Sequence, residues 1–174
     1  MMNGLRNMRK NNALFLDIDG VLNTSAARKA IQCKFHFVKT YGGDLKKTDL
    51  DIVEECMERM ITLIREHDLD VVITSMWRFG AKLTWFKELF ELYGLELPIE
   101  RFSTITTCDC EQERDGGRLE FIEDHLLLFP YDNYVMIDDT FSHYMKEHDN
   151  LVVTDIKYGF TEKDYQKADT ILKK

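Results

Sequence analysis

The stretch LFLDIDGVLN, residues 14–23, constrains this chain more than any other, because in it an apolar run ends abruptly on two carboxylates. Ala13 to Leu16 are apolar, Asp17 and Asp19 follow, and Gly20 comes directly after. An unbroken apolar run of this kind is the pattern of a strand buried on both faces, so the strand must stop where the charge begins. Two acids separated by one residue raise each other's pKa unless positive charge lies between them. A divalent cation meets that need. Ionised Asp is a hard oxygen ligand suited to Mg²⁺, and an Asp beside such an ion can also attack phosphorus to form an aspartyl-phosphate. Asp and Gly are equally common in strand-ending turns, and this stretch alone leaves both readings open.

Similar endings recur downstream. Helical spacing begins at Thr48, with Thr48 or Asp49 as the cap and Ile52, Val53, Cys56, Met60, Leu63 and Ile64 as the apolar stripe. Asp70-Val-Val-Ile-Thr-Ser then reads as a buried strand ending in two hydroxyls, Thr74 and Ser75, ahead of Met76, Trp77 and Arg78. Such hydroxyls commonly cap a helix, and a cap is compatible with phosphate contact at a helix N-terminus. A second amphipathic helix spans Leu83 to Tyr93, stopped by Gly94 and Pro98, and Ile99 to Thr107 is a β-rich stretch. After a polar loop from Cys108 to Gly117, a helix starts at Arg118 and runs through Phe121, Ile122, His125, Leu126 and Leu127 to Phe129-Pro130. A cation in a first helical turn opposes the helix dipole, which makes Arg118 weakly misplaced for stability and more interesting for function, with an ordinary surface arginine as the other reading. Tyr134-Val-Met-Ile is a fourth strand and ends in Asp138-Asp139; Leu151 to Thr154 is a fifth, and Thr161 caps a closing helix to Leu172.

Strands alternating with helices imply a parallel sheet covered on both faces. In such sheets the carboxyl ends of the strands share one edge, and ligands bind there. Asp17, Asp19, Thr74, Ser75, Asp138 and Asp139 are thereby expected on a common rim. Several carboxylates with hydroxyls and an arginine describe a site for a divalent metal and a phosphoryl group.

Composition sets the outer limits. At 174 residues and 44% hydrophobic, the chain is expected to form one domain over 1–174 with a sizeable core. No apolar run approaches a membrane span or the core of a signal peptide, which predicts a cytoplasmic protein. Cys33, Cys56, Cys108 and Cys110 contain no CxxC pair, and reduced, non-ligating thiols are expected. The net charge of −8 argues against indiscriminate binding to nucleic acid or anionic membrane. Within residues 23–47, however, Arg28, Lys29, Lys34, Lys39, Lys46 and Lys47 face the single acid Asp44, and Phe35, His36, Phe37 and Tyr41 lie among them. A basic insertion with rings can meet a phosphate and a base; the commoner reading of such a segment is a solvated flap whose aromatics pack on the body.

In this order the motifs resemble those of haloacid dehalogenase (HAD) superfamily phosphatases. LFLDIDGVLN is similar to the first motif, a hydrophobic strand with DxDG; VVITS to the second; Arg118 lies where the third motif's Lys or Arg is expected; VMIDD is similar to the fourth. The resemblance covers essentially the whole chain. SMWR after the second motif, RLEFI before IDD, and GFTEKD near the end are similar to the small HAD domains associated with Swiss Army Knife RNA repair proteins.

What the resemblance implies is a three-layer α/β/α Rossmann-like fold with a five-stranded parallel sheet of order 5-4-1-2-3. Asp17 would be the nucleophile of a phosphoric monoester hydrolase, and Asp19 the general acid and base. Mg²⁺ would be held by the Asp17 carboxylate, the Asp19 backbone carbonyl and Asp138, with Asp139 bound to it directly or supporting a ligand. Thr74 and Arg118 would bind phosphoryl oxygens, with Ser75 as a second contact. Arg118 departs from the commoner Lys, although its forked donors also suit phosphate. The intervals after the first and second motifs, 23–47 and 76–117, are too short for a large cap domain. A nearly capless site suits a bulky phosphorylated substrate such as a nucleotide or a nucleic-acid end. A receiver-like or catalytically silent module that binds phosphate and metal is the alternative, although a receiver's acceptor usually follows a middle strand of the sequence and lacks DxD.

Overall fold

The computed structural model describes residues 11–25, 27, 46–47, 50–105, 117–139 and 148–174. Five parallel strands form one sheet: β1 (Asn12–Leu16), β2 (Leu69–Ile73), β3 (Phe102–Thr104), β4 (Asn133–Asp138) and β5 (Leu151–Val153). Their spatial order is β3-β2-β1-β4-β5, which is the expected order read from the opposite edge. Four α-helices flank them: α1 (Glu54–His67), α2 (Leu83–Leu92), α3 (Arg118–Leu128) and α4 (Glu162–Leu172).

The strand period of two assigns the faces. Leu14 and Leu16 of β1 join Met57, Met60 and Ile64 of α1, Phe86 and Phe90 of α2, and Ala168 and Ile171 of α4 in one large core. Ala13 and Phe15 point the other way, into a smaller cluster with Val72, Ile122 and Met136 beneath α3. Phe15 is nearly fully buried there, with His125, Tyr131 and Tyr134 edge-on at 5.6, 6.2 and 5.8 Å; its burial stabilises by roughly 2–3 kcal/mol.

This unequal distribution follows from chain direction. From β1 through β2 to β3 the chain steps outward, and both crossover helices lie on one face. From β3 it returns to the far side of β1, and a crossover of the same hand must put α3 on the opposite face. The reversal falls between β1 and β4, the place where a parallel sheet leaves a crevice.

Three expectations are adjusted. Ile52 and Val53 precede α1 instead of lying within it: Ile52 bridges Asn23, the Val53 N–H donates to the Leu22 carbonyl at 2.8 Å, and Val53 itself stands at the N-cap without a side-chain cap. Thr48 and Asp49 lie outside the described residues. Part of the 99–107 stretch, Ile99–Arg101, is a 3₁₀ turn ahead of a short β3. Leu127 faces solvent, because the covered side of α3 is set by Ile122 and His125. The Thr161 cap stands as expected: the Asp164 carboxylate accepts from the Thr161 N–H at 2.9 Å and from its hydroxyl at 2.6 Å.

Candidate active site

Register alone places three of the expected residues side by side. Leu16 pairs with Ile73 on one flank and Ile137 on the other, and the pairing continues one step past the strand. The Thr74 N–H donates to the Leu16 carbonyl at 2.9 Å and the Asp17 N–H to the Ile137 carbonyl at 3.0 Å. Asp17, Thr74 and Asp138 are therefore level on the carboxyl edge, with Asp17 and Asp138 on the two sides of the crevice.

Asp17 and Asp138 are almost wholly buried, at 4% and 2% exposure; Asp139 is half-buried. One oxygen from each lies within 4.8 Å of the others. Such a trio is costly unless positive charge intervenes, and Arg118 brings it from the first turn of α3. Its Nη1 lies 3.0 Å from Asp17 Oδ2 and 2.5 Å from Asp138 Oδ2. Burial opposes the guanidinium charge, but Asp138 and Asp17 outweigh it and hold Arg118 above its ordinary pKa. These two carboxylates also account for a cation at a helix N-terminus, where the dipole alone would reject it.

Burial pushes the Asp17 carboxyl up to about 6, and Asp138 adds to the rise. Arg118, the Ile18 N–H and the Ser75 hydroxyl act against it. The Ile18 N–H donates to Asp17 Oδ1 at 2.8 Å. Ser75, fully buried, also caps the 3₁₀ turn Met76–Phe79 by accepting from the Trp77 N–H at 3.4 Å. Three clustered carboxylates form a hard, all-oxygen donor set, and each oxygen has lone pairs beyond a single contact. The residues present thus fit a divalent cation of the Mg²⁺ type.

The Asp19 side chain lies outside this trio. Its Oδ1 accepts from Asn23 Nδ2 at 2.9 Å and its Oδ2 from the Trp77 indole N–H at 3.0 Å. The loop that carries it is tied from several sides: Thr154 donates its hydroxyl to the Gly20 carbonyl at 2.9 Å, and the Phe160 N–H donates to the Val21 carbonyl at 2.8 Å. Asn23, Trp77 and Thr154 were not among the residues singled out from sequence. For Asn23 the spacing of four from Asp19 is a local signal; the Trp77 contact spans 58 residues and has none. Arg78 was missed as well: it folds back so that Nη1 donates to the Thr74 and Ser75 carbonyls at 2.5 and 2.9 Å, bracing the end of β2.

The expected rim residues thus share one edge of the sheet, with Arg118 turned onto the carboxylates it balances. Most of the basic 23–47 segment, including Arg28, Lys29, Lys34 and Lys39 with its rings, lies outside the described residues. Lys47 is described; it pairs with Glu54 at 2.7 Å and lies 4.4 Å from the Tyr93 ring centre. Cys56 is buried and free, whereas Cys33, Cys108 and Cys110 lie outside the described residues. Among the described residues no helix is long and apolar enough to cross a membrane.

A family model described as the HAD domain in Swiss Army Knife RNA repair proteins matches residues 13–165. No curated protein and no solved structure matches the chain.

Proposed function

For a chain that belongs to the family of HAD domains in Swiss Army Knife RNA repair proteins, we propose the activity of a Mg²⁺-dependent phosphatase that hydrolyses a phosphate monoester through an aspartyl-phosphate on Asp17. One observation carries this reading: the buried Asp17 carboxylate lies at the crevice between β1 and β4, with Arg118 against it and Asp138 and Asp139 within 4.8 Å.

In the first step an Asp17 oxygen attacks phosphorus, the bond to the leaving oxygen breaks, and Asp19 gives that oxygen its proton. In the second, water attacks the phosphorus of the acyl phosphate and loses a proton to Asp19, which regenerates the Asp17 carboxylate and releases phosphate. Burial of Asp17 suits the first step, because a desolvated carboxylate is a stronger nucleophile than a hydrated one. A divalent cation held by Asp17, Asp138 and Asp139, with the Asp19 backbone carbonyl, would offset the charge of the carboxylates and phosphoryl oxygens. Arg118 would share its donors with a phosphoryl oxygen, and Thr74 or Ser75 would add a hydroxyl at the end of β2.

The substrate we propose is a nucleotide or a phosphorylated nucleic-acid end. The family description supports it. So does the described part of the interval after the second motif, residues 76–105, which holds α2, β3 and two 3₁₀ turns, all elements of the core. Mg²⁺-dependent hydrolysis of an aryl phosphate by wild type and Asp17→Asn tests the chemistry. Nucleotides and oligonucleotides with 3′- or 5′-phosphate then test the substrate. The variant is expected to lose about 10³-fold or more; undiminished turnover in Asp17→Asn would remove the nucleophile.

A further inference from the structure

Asp19 is held at both of its oxygens by neutral N–H groups from two separate parts of the chain. Asn23 comes from the same loop, and its own Oδ1 accepts from the Gly20 N–H at 2.9 Å, so its amide cannot turn without breaking that contact. Trp77 comes from the 3₁₀ turn after β2. Its ring is fixed in turn: it packs against Trp85 at 5.8 Å, and Trp85 stands edge-on to Phe86 at 5.3 Å, a residue with no exposed surface. The indole N–H therefore starts from a buried support and ends on Asp19 Oδ2.

An indole N–H and a carboxamide neither yield nor take up a proton near neutral pH. They can aim a carboxylate while leaving the proton to it. We propose that Trp77 is a positioning residue for proton transfer by Asp19, with Asn23 as the second arm of the clamp. The proposal rests on the phosphatase reading above for its chemical meaning, and on the two contacts for its geometry. A misaimed Asp19 still permits attack by Asp17, but protonates the leaving oxygen poorly. The defect must then grow with the basicity of the leaving group. An alkoxide needs the proton; a nitrophenolate departs without it.

Two measurements test this. The chain has two tryptophans, so its ¹⁵N-labelled indole N–H resonances are few, and Trp77→Phe identifies one of them by deletion. In Asp19→Ala the Trp77 resonance is expected to move upfield by more than that of Trp85. An unmoved resonance overturns the contact, whether or not the protein is an enzyme. Trp77→Phe keeps a ring in place and removes the N–H; Asn23→Ala removes the other donor without touching the Trp77 packing. In each, kcat/KM on an alkyl phosphate is expected to fall about tenfold further than on p-nitrophenyl phosphate, against the 10²–10⁴-fold that general acid catalysis supplies. Equal losses on both esters would reduce Trp77 to a packing residue and overturn the proposal. If the indole resonance moves in Asp19→Ala but the wild type turns over no phosphate ester, the phosphatase reading is overturned, and the positioning role with it, while the contact stands.

Discussion

The Asp139 carboxylate lies so close to Gly20 that a Cβ built on the glycine would stand 2.1 Å from Asp139 Oδ2. Gly20 also has φ +74°, a left-handed conformation that costs an L residue about 1–2 kcal/mol. The glycine of the Asp-Ile-Asp-Gly stretch thus does two things at once: it turns the chain after Asp19 and admits the Asp139 carboxylate, just past the end of β4, into the site.

Gly20→Ala is accordingly expected to cost stability and to displace Asp139. Urea unfolding should show a loss of about 1–2 kcal/mol or more, and Mg²⁺ titration by calorimetry a weaker affinity. Unchanged Mg²⁺ affinity would mean that Asp139 takes no part in holding the ion.

Arg118→Met leaves Asp17 and Asp138 buried without the cation they now share. Removing one partner of a buried ion pair typically costs about 3–5 kcal/mol. The loss should be largest in chelator and partly restored by Mg²⁺, because a divalent ion can replace the missing charge. Thermal unfolding with EDTA or Mg²⁺ reads the difference; the same loss in both would separate Arg118 from the metal site.

His125 gives a pH dependence remote from the chemistry. Its ring packs on Phe15 and Phe129, and burial lowers its pKa below the usual value. A folded-state pKa below the unfolded one means that the unfolded chain takes up the proton first as pH falls. The stability His125 contributes is therefore fully present above about 6.5, its unfolded value, and is lost as pH falls through the lower folded value. His125→Phe should lose less stability than wild type between about pH 7.5 and 5.5, measured by urea unfolding. Parallel curves for the two proteins would contradict it.

Asp164→Ala removes the carboxylate that accepts from both the backbone N–H and hydroxyl of Thr161. A capping interaction of this kind is worth about 0.5–2 kcal/mol. Stability should fall by that amount, with no selective loss on alkyl phosphates. A selective loss would indicate that α4 communicates with Asp19 through the Phe160 contact to Val21.

What was legible in the sequence was local. The apolar run before Asp17, the hydroxyls after Ile73 and the paired acids after Ile137 mark strand ends, because a buried strand must stop where a charge or turn former begins. The cap at Thr161 is readable for the same reason: Asp164 is three residues away. Even the common rim follows from alternation, since parallel strands bring all their carboxyl ends to one edge.

Contacts across the fold were another matter. Nothing near Arg118 in the chain says that its guanidinium will lie between Asp17, 101 residues away, and Asp138, or that Trp77 will reach Asp19. Ile52 and Val53 fit the apolar stripe of α1 yet stand outside it, because their backbones are held by Asn23 and Leu22. Sequence determined where strands end and which side chains stand there, because spacing and turn chemistry act over a few residues. Tertiary structure alone decided which side chains meet, because register, crossover hand and the reversal between β1 and β4 bring distant residues within hydrogen-bond reach.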